Sequence, residues 1–280
     1  MLLLGKIIDI LSFSATTPPL YGWVHILSIV LTILSGVFLS VVFRRADEKT
    51  VRRILLITSV ITIIFEIYKQ FVFSFTFDGQ TVSFDYQWYS FPFQFCSTPM
   101  YIGLLASLIK NKAVHNALCA FLATYGFFAG LAVMIYPGTV YMEIVGINIQ
   151  TMVCHGIMVS NGIFLLSSGY VKPKHRSILP AAVIFSLLVT VAIILNEAVY
   201  FSGVLGNETF NMFFISRHFD SLLPIYSDLQ KIVPYPYCVF VYILGFSAAA
   251  YALLLGDIVI KKLISLLRKP KKEFTYNEIR

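Results

Sequence analysis

The sequence has little charge for its length. Asp, Glu, Lys and Arg together make up 12% of the 280 residues, whereas 58% of the residues are hydrophobic. A soluble domain has roughly 25% charged residues, so this composition excludes an ordinary soluble protein. The chain is long enough for about seven membrane spans of roughly 20 residues each. Spanning backbone must satisfy its own hydrogen bonds, so we predict an all-α, polytopic membrane protein.

Cysteine pairs are also missing. The four cysteines are dispersed and form no CxxC motif, which argues against a disulfide framework or a zinc site. We therefore predict no metal and no other cofactor. The net charge of +7 comes mainly from residues between the hydrophobic runs and at the C-terminus. Such residues are determinants of membrane topology, so the charge does not predict a nucleic-acid partner.

Seven apolar runs predict the membrane spans. They lie at 21–43, 53–75, 89–109, 113–135, 148–170, 178–202 and 235–260. Pro92 is expected to mark the start of the third helix, because proline is tolerated in a first turn. The single membrane domain is predicted to cover 1–262, followed by a basic and polar tail at 263–280. The first 20 residues lack a cleavage site and are expected to lie at the membrane interface.

Basic residues occur in alternate loops. They follow runs 1, 3, 5 and 7, whereas loops 76–88 and 136–147 contain none and loop 203–234 contains two among several acidic residues. The positive-inside rule then places the N-terminus outside and the C-terminus in the cytoplasm of a cell-membrane protein. The Phe-rich part of loop 203–234 is expected to lie on the membrane or to dip into it.

Ionisable groups inside the runs are costly, and each is a candidate functional residue. At 1.5 Å per helical residue, four of them fall roughly 8–10 Å below the outer ends of their helices. This predicts one reactive layer in the outer third of the bilayer, made by Lys69, Cys96, His155 and Glu197. Glu66 stands three residues before Lys69. Asp257 is expected to lie apart, near the cytoplasmic end.

A thiol and an imidazole at equal depth suit acyl transfer. His155 could take the proton of Cys96, and the thiolate could attack a lipid ester to form a thioester. Simpler interpretations remain open. A membrane cysteine is usually a small apolar side chain, and a membrane histidine often bridges helices. Glu66 and Lys69 could neutralise each other, and Glu197 could orient His155 or pair with Lys69.

The other cysteines and histidines are given structural roles. Cys154 adjoins His155 but points about 100° away on the helix, so it is the weaker candidate nucleophile. Cys119 and Cys238 are expected to be packing residues. His115, His175 and His218 lie in or near loops. Water can solvate them there, so they are expected to have no special role.

Two motifs carry a family resemblance. FPFQFCSTPMYIG at 91–103 is similar to the LPLHLC segment of the bacterial YwaF-like integral membrane proteins, with Gln94 at the position of the motif's His. CHGIMVSNGIFLL at 154–166 resembles the HG helix of the same proteins, which in turn resemble the eukaryotic transmembrane protein 164 family. A weaker likeness is NMFFISR at 211–217, which departs from the family's NYMFL stretch around Asn211.

The resemblance implies a seven-helix acyltransferase that moves fatty acyl chains between phospholipids. Cys96 then matches the family's nucleophile and His155 its base. The resemblance extends distantly to androgen-induced hydrolases of fatty-acid esters, which use Thr and His. Membrane lipids, as phospholipid or lysolipid donor and acceptor, would be the partners. The sequence leaves the choice between transfer and hydrolysis, and the oligomeric state, open.

Three functions therefore compete. In a lipid acyltransferase or lipid-ester hydrolase, residues around the Cys–His pair would bind the substrate or orient the reacting groups. A transporter, or the substrate-binding subunit of one, would use the same polar groups as an intramembrane site. A structural protein would use them only for helix packing. The candidate binding or orienting residues are Gln94, Glu66, Lys69, Glu197, Asn196 and Asn211.

Overall fold

The computed structural model describes residues 2–267 and is predominantly helical. Ten α-helices are connected mostly by short loops. They are α1 (Leu2–Leu11), α2 (Trp23–Val42), α3 (Glu48–Val72), α4 (Thr98–Leu108), α5 (Lys112–Phe121), α6 (Phe127–Ile135), α7 (Val145–Ser167), α8 (Ile178–Ser202), α9 (Pro224–Ile232) and α10 (Tyr235–Leu267). A β-hairpin of β1 (Phe75–Phe77) and β2 (Val82–Phe84) follows α3, so the all-α prediction misses one small element.

Five helices within the described residues are long and apolar enough to cross a membrane. They are Trp23–Val42, Lys112–Ile135, Val145–Ser167, His175–Ser202 and Tyr235–Leu267. The second of these is continuous from α5 into α6 through a π-helical turn at Leu122–Gly126. These helices agree with five of the seven predicted runs to within a few residues, except that α10 continues to Leu267.

Helix α7 is the most enclosed of the long helices. It packs against α2, α3, α6 and the π-helical turn. Small residues allow these close contacts: Gly156 faces Thr32 of α2, and Gly162 faces Phe127 of α6. Gly130 of α6 faces the His155 carbonyl, where an added Cβ would come within 2.8 Å of the oxygen. Close backbone approach of this kind is the usual basis of helix association in a membrane.

Cationic and imidazole side chains connect the helices at one end of the bundle. Arg52, near the start of α3, donates to the carbonyl oxygens at the end of α4, including that of Ile109 at 2.7 Å. His115 donates to the Ala106 carbonyl at 2.7 Å. Lys261 donates to the Leu166 carbonyl near the end of α7 and pairs with Asp257 at 2.8 Å. These contacts bring four predicted basic loops to the same end, which we call the basic end.

The N-terminal helix and the hairpin lie at the opposite end. Gly5 of α1 contacts the Phe77 ring, and the Tyr68 hydroxyl donates to the Leu11 carbonyl at 2.6 Å. In the hairpin turn, hydrogen bonds from Thr81 and Gln80 lower the pKa of Asp78 to about 2. Helix α1 is thus part of the packed structure.

The third predicted span is wrong in its first half. A helix was predicted from 89 to 109, but α4 begins only at Thr98, and the backbone at 91–97 forms turns. Pro92 therefore does not mark the helix start; Pro99 lies in the first turn instead. The 11 residues of α4 extend about 16 Å, about half of a bilayer's hydrocarbon thickness. Cys96 and Gln94 consequently precede the helix.

The long loop before α9 contains a deeply buried segment. Phe210, Met212, Phe213 and Ile215 are fully buried within the bundle. Phe213 and Phe214 have φ angles of 59° and 56°, a conformation that bulky side chains rarely adopt. The segment therefore requires strong tertiary contacts to hold it. The expectation that this stretch lies on the membrane or dips into it stays a prediction.

The predicted C-terminal tail begins inside a helix. Residues 263–267 continue α10, and residues 268–280 lie outside the described part of the chain. The predicted division into a membrane domain and a tail stays a prediction.

We expect Asn196→Leu to destabilise the fold, because the buried Asn196 amide accepts from the Met212 N–H at 2.7 Å and donates to the Met212 carbonyl at 3.0 Å. Two buried backbone groups would lose their partners, lowering the free energy of unfolding by about 2 kcal/mol or more. Thermal unfolding of the purified protein measures this. Thr190→Val, on the exposed face of the same helix, is the control and should change little. Equal shifts in both variants would contradict the role of Asn196.

Candidate active site

A buried ion pair on α3 is the main charged feature of the site. Lys69 Nζ lies 2.8 Å from Glu66 Oε1, and the two side chains are 15% and 9% exposed. The two residues therefore pair with each other, as their three-residue spacing allows. Gln70 Nε2 also donates to Glu66 Oε1 at 2.8 Å, so this carboxylate oxygen has two donors.

Gln70 connects the ion pair to the segment before α4. Its Nε2 donates to the Ser90 carbonyl at 2.8 Å, and its Oε1 accepts from the Tyr86 hydroxyl at 2.8 Å. Sequence reasoning missed both Gln70 and Tyr86. The spacing of Gln70, one helical turn after Glu66, was a signal for the first of them.

His155 presents a free nitrogen to the protein interior. Its Nδ1 lies 2.7 Å from the Thr151 carbonyl oxygen. A carbonyl only accepts, so Nδ1 carries the proton and the neutral ring leaves its lone pair on Nε2. Nε2 is buried and has no hydrogen-bond partner among the described residues. Buried polar atoms are normally paired, so an orphaned imidazole nitrogen is a candidate base.

Cys96 lies two residues before α4, next to the N-cap residue Ser97. The Gln94 carbonyl accepts from the N–H groups of Ser97 at 2.8 Å and Thr98 at 3.2 Å, which forms a tight turn around the cysteine. The side chain is half-buried against the hydrophobic core. The structure therefore presents the thiol from a turn, not from the wall of a helix.

Lys69 is the charged group that Cys96 and His155 share. It lies within electrostatic range of each of them. Glu66 and Lys69 also act on Cys154, which is itself within electrostatic range of Cys96. Cys154 interacts with Gln150, whose Nε2 is 3.6 Å from the sulfur. Two residues of the predicted reactive layer, Cys96 and His155, thus lie within electrostatic range of a third, Lys69.

A small cavity lies deeper along α7. Its volume is about 20 Å³, the scale of one water molecule. Asn161 is six residues beyond His155, or about 9 Å along the helix. Its Nδ2 donates to Thr58 Oγ1 at 3.0 Å, while its buried Oδ1 has no partner among residues 2–267. Residues lining the cavity include Thr58, Thr62, Pro99, Gly126, Met158 and Asn161.

Three predicted orienting residues are engaged in holding the buried loop. Gln94 accepts from the Phe213 N–H at 2.9 Å and donates to the Asn211 carbonyl at 3.0 Å. Asn196 makes the pair of bonds to Met212 described above. The Asn211 side chain accepts from the Ser216 N–H at 2.8 Å. These amides position backbone next to Cys96 and are not free to bind a substrate carbonyl.

The predicted partners of Glu197 are wrong. Its Oε2 pairs with Arg217 at 2.6 Å and with His218 at 3.2 Å, and not with Lys69 or His155. His218 also stacks on Tyr200, with ring centroids 3.6 Å apart. The sequence separation of about 20 residues hid these contacts, because the intervening loop folds back over the end of α8.

The prediction that the protein binds no metal can be compared only with the residues that the structure describes. Among residues 2–267, no three His, Cys, Asp or Glu side chains form a group that could hold a metal ion. All four cysteines are free thiols. The absence of a cofactor stays a prediction.

Comparison with known proteins identifies one family. The model of the TMEM164 family matches residues 20–255, which include the ion pair, Cys96 and His155. No curated protein and no solved structure matches the chain.

We expect Lys69→Met to destabilise the protein by about 3 kcal/mol or more, because it leaves the Glu66 carboxylate buried without its cation. Lys231→Met is a matched control, since Lys231 pairs with Asp228 at the same three-residue spacing but on an exposed surface. It should cost less than about 1 kcal/mol. Adding Glu66→Gln to Lys69→Met should restore much of the loss. Thermal unfolding of the variants would contradict the buried pair if both lysine variants behaved alike.

Proposed function

The chain belongs to the TMEM164 family, and we propose that it is a membrane enzyme that transfers or hydrolyses the acyl groups of lipids through Cys96 and His155. The proposal includes seven crossings, with the N-terminus outside and the C-terminus in the cytoplasm of a cell membrane. Helix α3 and the segment 91–109 would supply the two crossings beyond the five long apolar helices. The collection of basic loops at one end supports this orientation.

The free nitrogen of His155 is the observation that carries the proposal. Its tautomer is set by the Thr151 carbonyl, so Nε2 can accept a proton without any change in the ring's existing hydrogen bond. A buried imidazole used only for helix packing would be expected to bond through both nitrogens. The orphaned nitrogen and the thiol share a neighbouring cation, Lys69. This supports a nucleophile and base that act together.

The reaction begins with transfer of the thiol proton from Cys96 to His155 Nε2. The thiolate attacks the ester carbonyl of a phospholipid, and a carbon–sulfur bond forms as a tetrahedral oxyanion develops. Collapse of that intermediate breaks the carbon–oxygen bond, and the protonated His155 gives its proton to the lysolipid oxygen. A lysolipid hydroxyl or water is then deprotonated by His155 and attacks the thioester. The acyl group leaves, and Cys96 is regenerated.

The buried ion pair assists this chemistry through its geometry. Lys69 would favour the thiolate and the developing oxyanion by its positive charge. Glu66 holds the lysine in place and is itself held by Gln70. The net charge of the pair is zero, so it adds a local field without adding a net charge to the membrane interior.

Transport is the second candidate function. One observation favours it: polar side chains continue along α3 from Glu66 through Thr62 to Thr58, next to the cavity at Asn161. A chain of such groups could conduct a small polar substrate or protons. Variants of Glu66, Asn161 and Cys96 distinguish the two functions. A transporter should lose flux when Glu66 or Asn161 is changed and should tolerate Cys96→Ala.

We expect a phospholipid analogue with a thiol-reactive acyl electrophile to label Cys96 in the purified protein in lipid nanodiscs. Cys96→Ala should abolish labelling. His155→Gln should slow it by about 10² or more, because the base is lost. Mass spectrometry of the labelled peptides gives the site.

Cys154→Ala is the matched control, because Cys154 lies near the same ion pair and adjoins His155. It should label at the wild-type rate. Labelling that persists in Cys96→Ala, or that is lost in Cys154→Ala, would overturn the assignment. Acyl exchange between phospholipid and lysolipid, measured on the same variants, then separates transfer from hydrolysis.

A further inference from the structure

A second pocket opens at the basic end of the bundle, between α5, the loop after α7 and the start of α8. Its volume is about 300 Å³. Small side chains of α5 make one wall, at Ala113, Ala117 and Ala120. Pro180, an exposed residue in the first turn of α8, also lines it, so the pocket is open to the surroundings of the bundle. This basic-end pocket is separate from the group around Cys96.

The inner wall of the pocket is closed to chemistry. Cys119 lines it but is fully buried, and so is His115, whose Nε2 lies 3.6 Å from the Cys119 sulfur. Both nitrogens of His115 are engaged, Nδ1 with the Ala106 carbonyl at 2.7 Å and Nε2 with the Tyr170 hydroxyl. This corrects the sequence-based interpretation of His115 as a solvated loop residue. The pocket is therefore suited to holding a molecule and not to reacting with it.

Two polar side chains at the pocket have unused hydrogen-bond donors. Lys172 and Asn116 both line it, and both are exposed. Within residues 2–267, no side-chain hydrogen bond or ion pair engages the Lys172 ammonium or the Asn116 amide. An ammonium and an amide NH₂ group can both donate to the oxygens of a phosphate, and the hydrogen bond from the charged donor is the stronger one.

The segments around the pocket carry one sign of charge. The exposed side chains of Lys112 and Lys174 belong to the start of α5 and to the loop after α7. The sequence contains no acidic residue in 108–119 or in 168–180. None of the ion pairs formed in the part of the chain that the structure describes involves Lys112, Lys172 or Lys174. The pocket is thus complementary to a ligand of net negative charge.

Two carboxylates lie near the pocket but are already engaged. Asp47 and Glu48, at the start of α3, are within electrostatic range of Tyr170. Glu48 pairs with Arg52 at 2.8 Å. Asp47 is the N-cap of α3 and accepts from the Thr50 N–H at 2.9 Å. Neither carboxylate forms an ion pair with a lysine of the pocket, so the positive charge there has no direct protein partner.

An apolar surface continues from the pocket along α8. Val183 and Leu187 follow Pro180 on the same helical face, and both side chains are exposed. They belong to a helix that is long and apolar enough to cross a membrane. Helix α5, with its alanine wall, packs against α8. A hydrocarbon chain leaving the pocket would therefore meet an apolar helix face.

We propose that the basic-end pocket binds an anionic phospholipid from the membrane leaflet at that end. The headgroup phosphate accepts hydrogen bonds from Lys172 and Asn116. The first carbons of one acyl chain lie against the alanines, and the rest of the chain follows α8. A zwitterionic lipid binds less well, because its ammonium finds no carboxylate at the rim. The bound lipid connects α5, the loop after α7 and α8, and so stabilises the folded protein.

The test measures lipid binding to the purified full-length protein by native mass spectrometry. The protein in detergent is titrated with dioleoyl-phosphatidylglycerol or with dioleoyl-phosphatidylcholine. We expect phosphatidylglycerol to bind about fivefold more tightly or better, the effect of roughly one lysine contact. Lys172→Glu should abolish this preference and leave the affinity for phosphatidylcholine unchanged. Asn116→Leu should weaken phosphatidylglycerol binding about threefold, because one hydrogen bond is lost.

Lys262→Glu is the matched control. Lys262 is an exposed lysine of α10 at the same basic end, and it does not line the pocket. The substitution makes the same change in charge and should keep the preference for phosphatidylglycerol. Equal losses in the Lys172 and Lys262 variants would show a general attraction to the basic surface and would overturn the site. Equal affinities of the wild-type protein for the two lipids would overturn it as well.

Thermal unfolding gives a second readout and shows that each variant is folded. Phosphatidylglycerol should raise the Tm of the wild-type protein and of Lys262→Glu, but not that of Lys172→Glu. Glycerol 3-phosphate, which carries the phosphate without the chains, should not displace the lipid at millimolar concentration. Displacement would show that the pocket takes a soluble phosphate and would overturn the lipid assignment. None of these measurements uses the reaction assigned to Cys96, so the failure of either proposal leaves the other standing.

Discussion

The structure depends on satisfying non-helical backbone inside an apolar protein. Helices meet this requirement internally, but the segments 91–97 and 210–215 cannot. The side-chain amides of Gln94, Asn196 and Asn211 bond to backbone groups at 211–216. In the first segment, the carbonyls of Phe91 and Gln94 accept from N–H groups of nearby residues. Cys96 lies in the first of these segments. The turn that presents the cysteine is closed by backbone bonds to the Gln94 carbonyl, and the Gln94 side chain connects this turn to the buried loop.

The buried charged side chains are either paired with an opposite charge or bonded to the carbonyls at helix ends. The inner pair of Glu66 and Lys69 is neutral and further bonded by Gln70. At the basic end, Arg52 and Lys261 donate to carbonyls at the ends of α4 and α7, where the negative ends of helix dipoles lie. These cations thus stabilise helix ends as well as bearing on topology.

The sequence predicted the long helices well, because hydrophobic runs and their flanking basic residues are local signals. It failed at 89–109, where aromatic and apolar residues continue through a segment that is not helical. The signal at Pro99, preceded by Ser97 and Thr98, was present but was outweighed by the length of the run. The family assignment was confirmed, and likeness to YwaF-like bacterial proteins stays a prediction.

The candidate site was predictable only in part, because several of its contacts are made by a loop that no local sequence pattern describes. Cys96, Lys69 and His155 were grouped by predicted depth in their helices, but the helix assumed for Cys96 begins only at Thr98. The partners of Glu197 could not be predicted, since Arg217 and His218 reach it through the folding of a long loop. The amide roles of Gln94 and Asn196 likewise depend on a buried loop whose backbone no local pattern describes. Cys119 and His115 are one helical turn apart in the sequence. The burial of both side chains depends on tertiary packing and could not be predicted from that spacing.

The π-helical turn at Leu122–Gly126 has a consequence for how one long helix packs against two different neighbours. One extra residue in a turn shifts the angular phase of all following residues by about 100°. Before the turn, α5 faces α8 and presents Cys119; after it, α6 faces α7 and packs on the backbone of His155. The two halves of this continuous helix therefore present their packing faces in different directions around the helix axis. One helix can thus pack against α8 with its first half and against α7 with its second half, because the π-helical turn rotates the second half relative to the first.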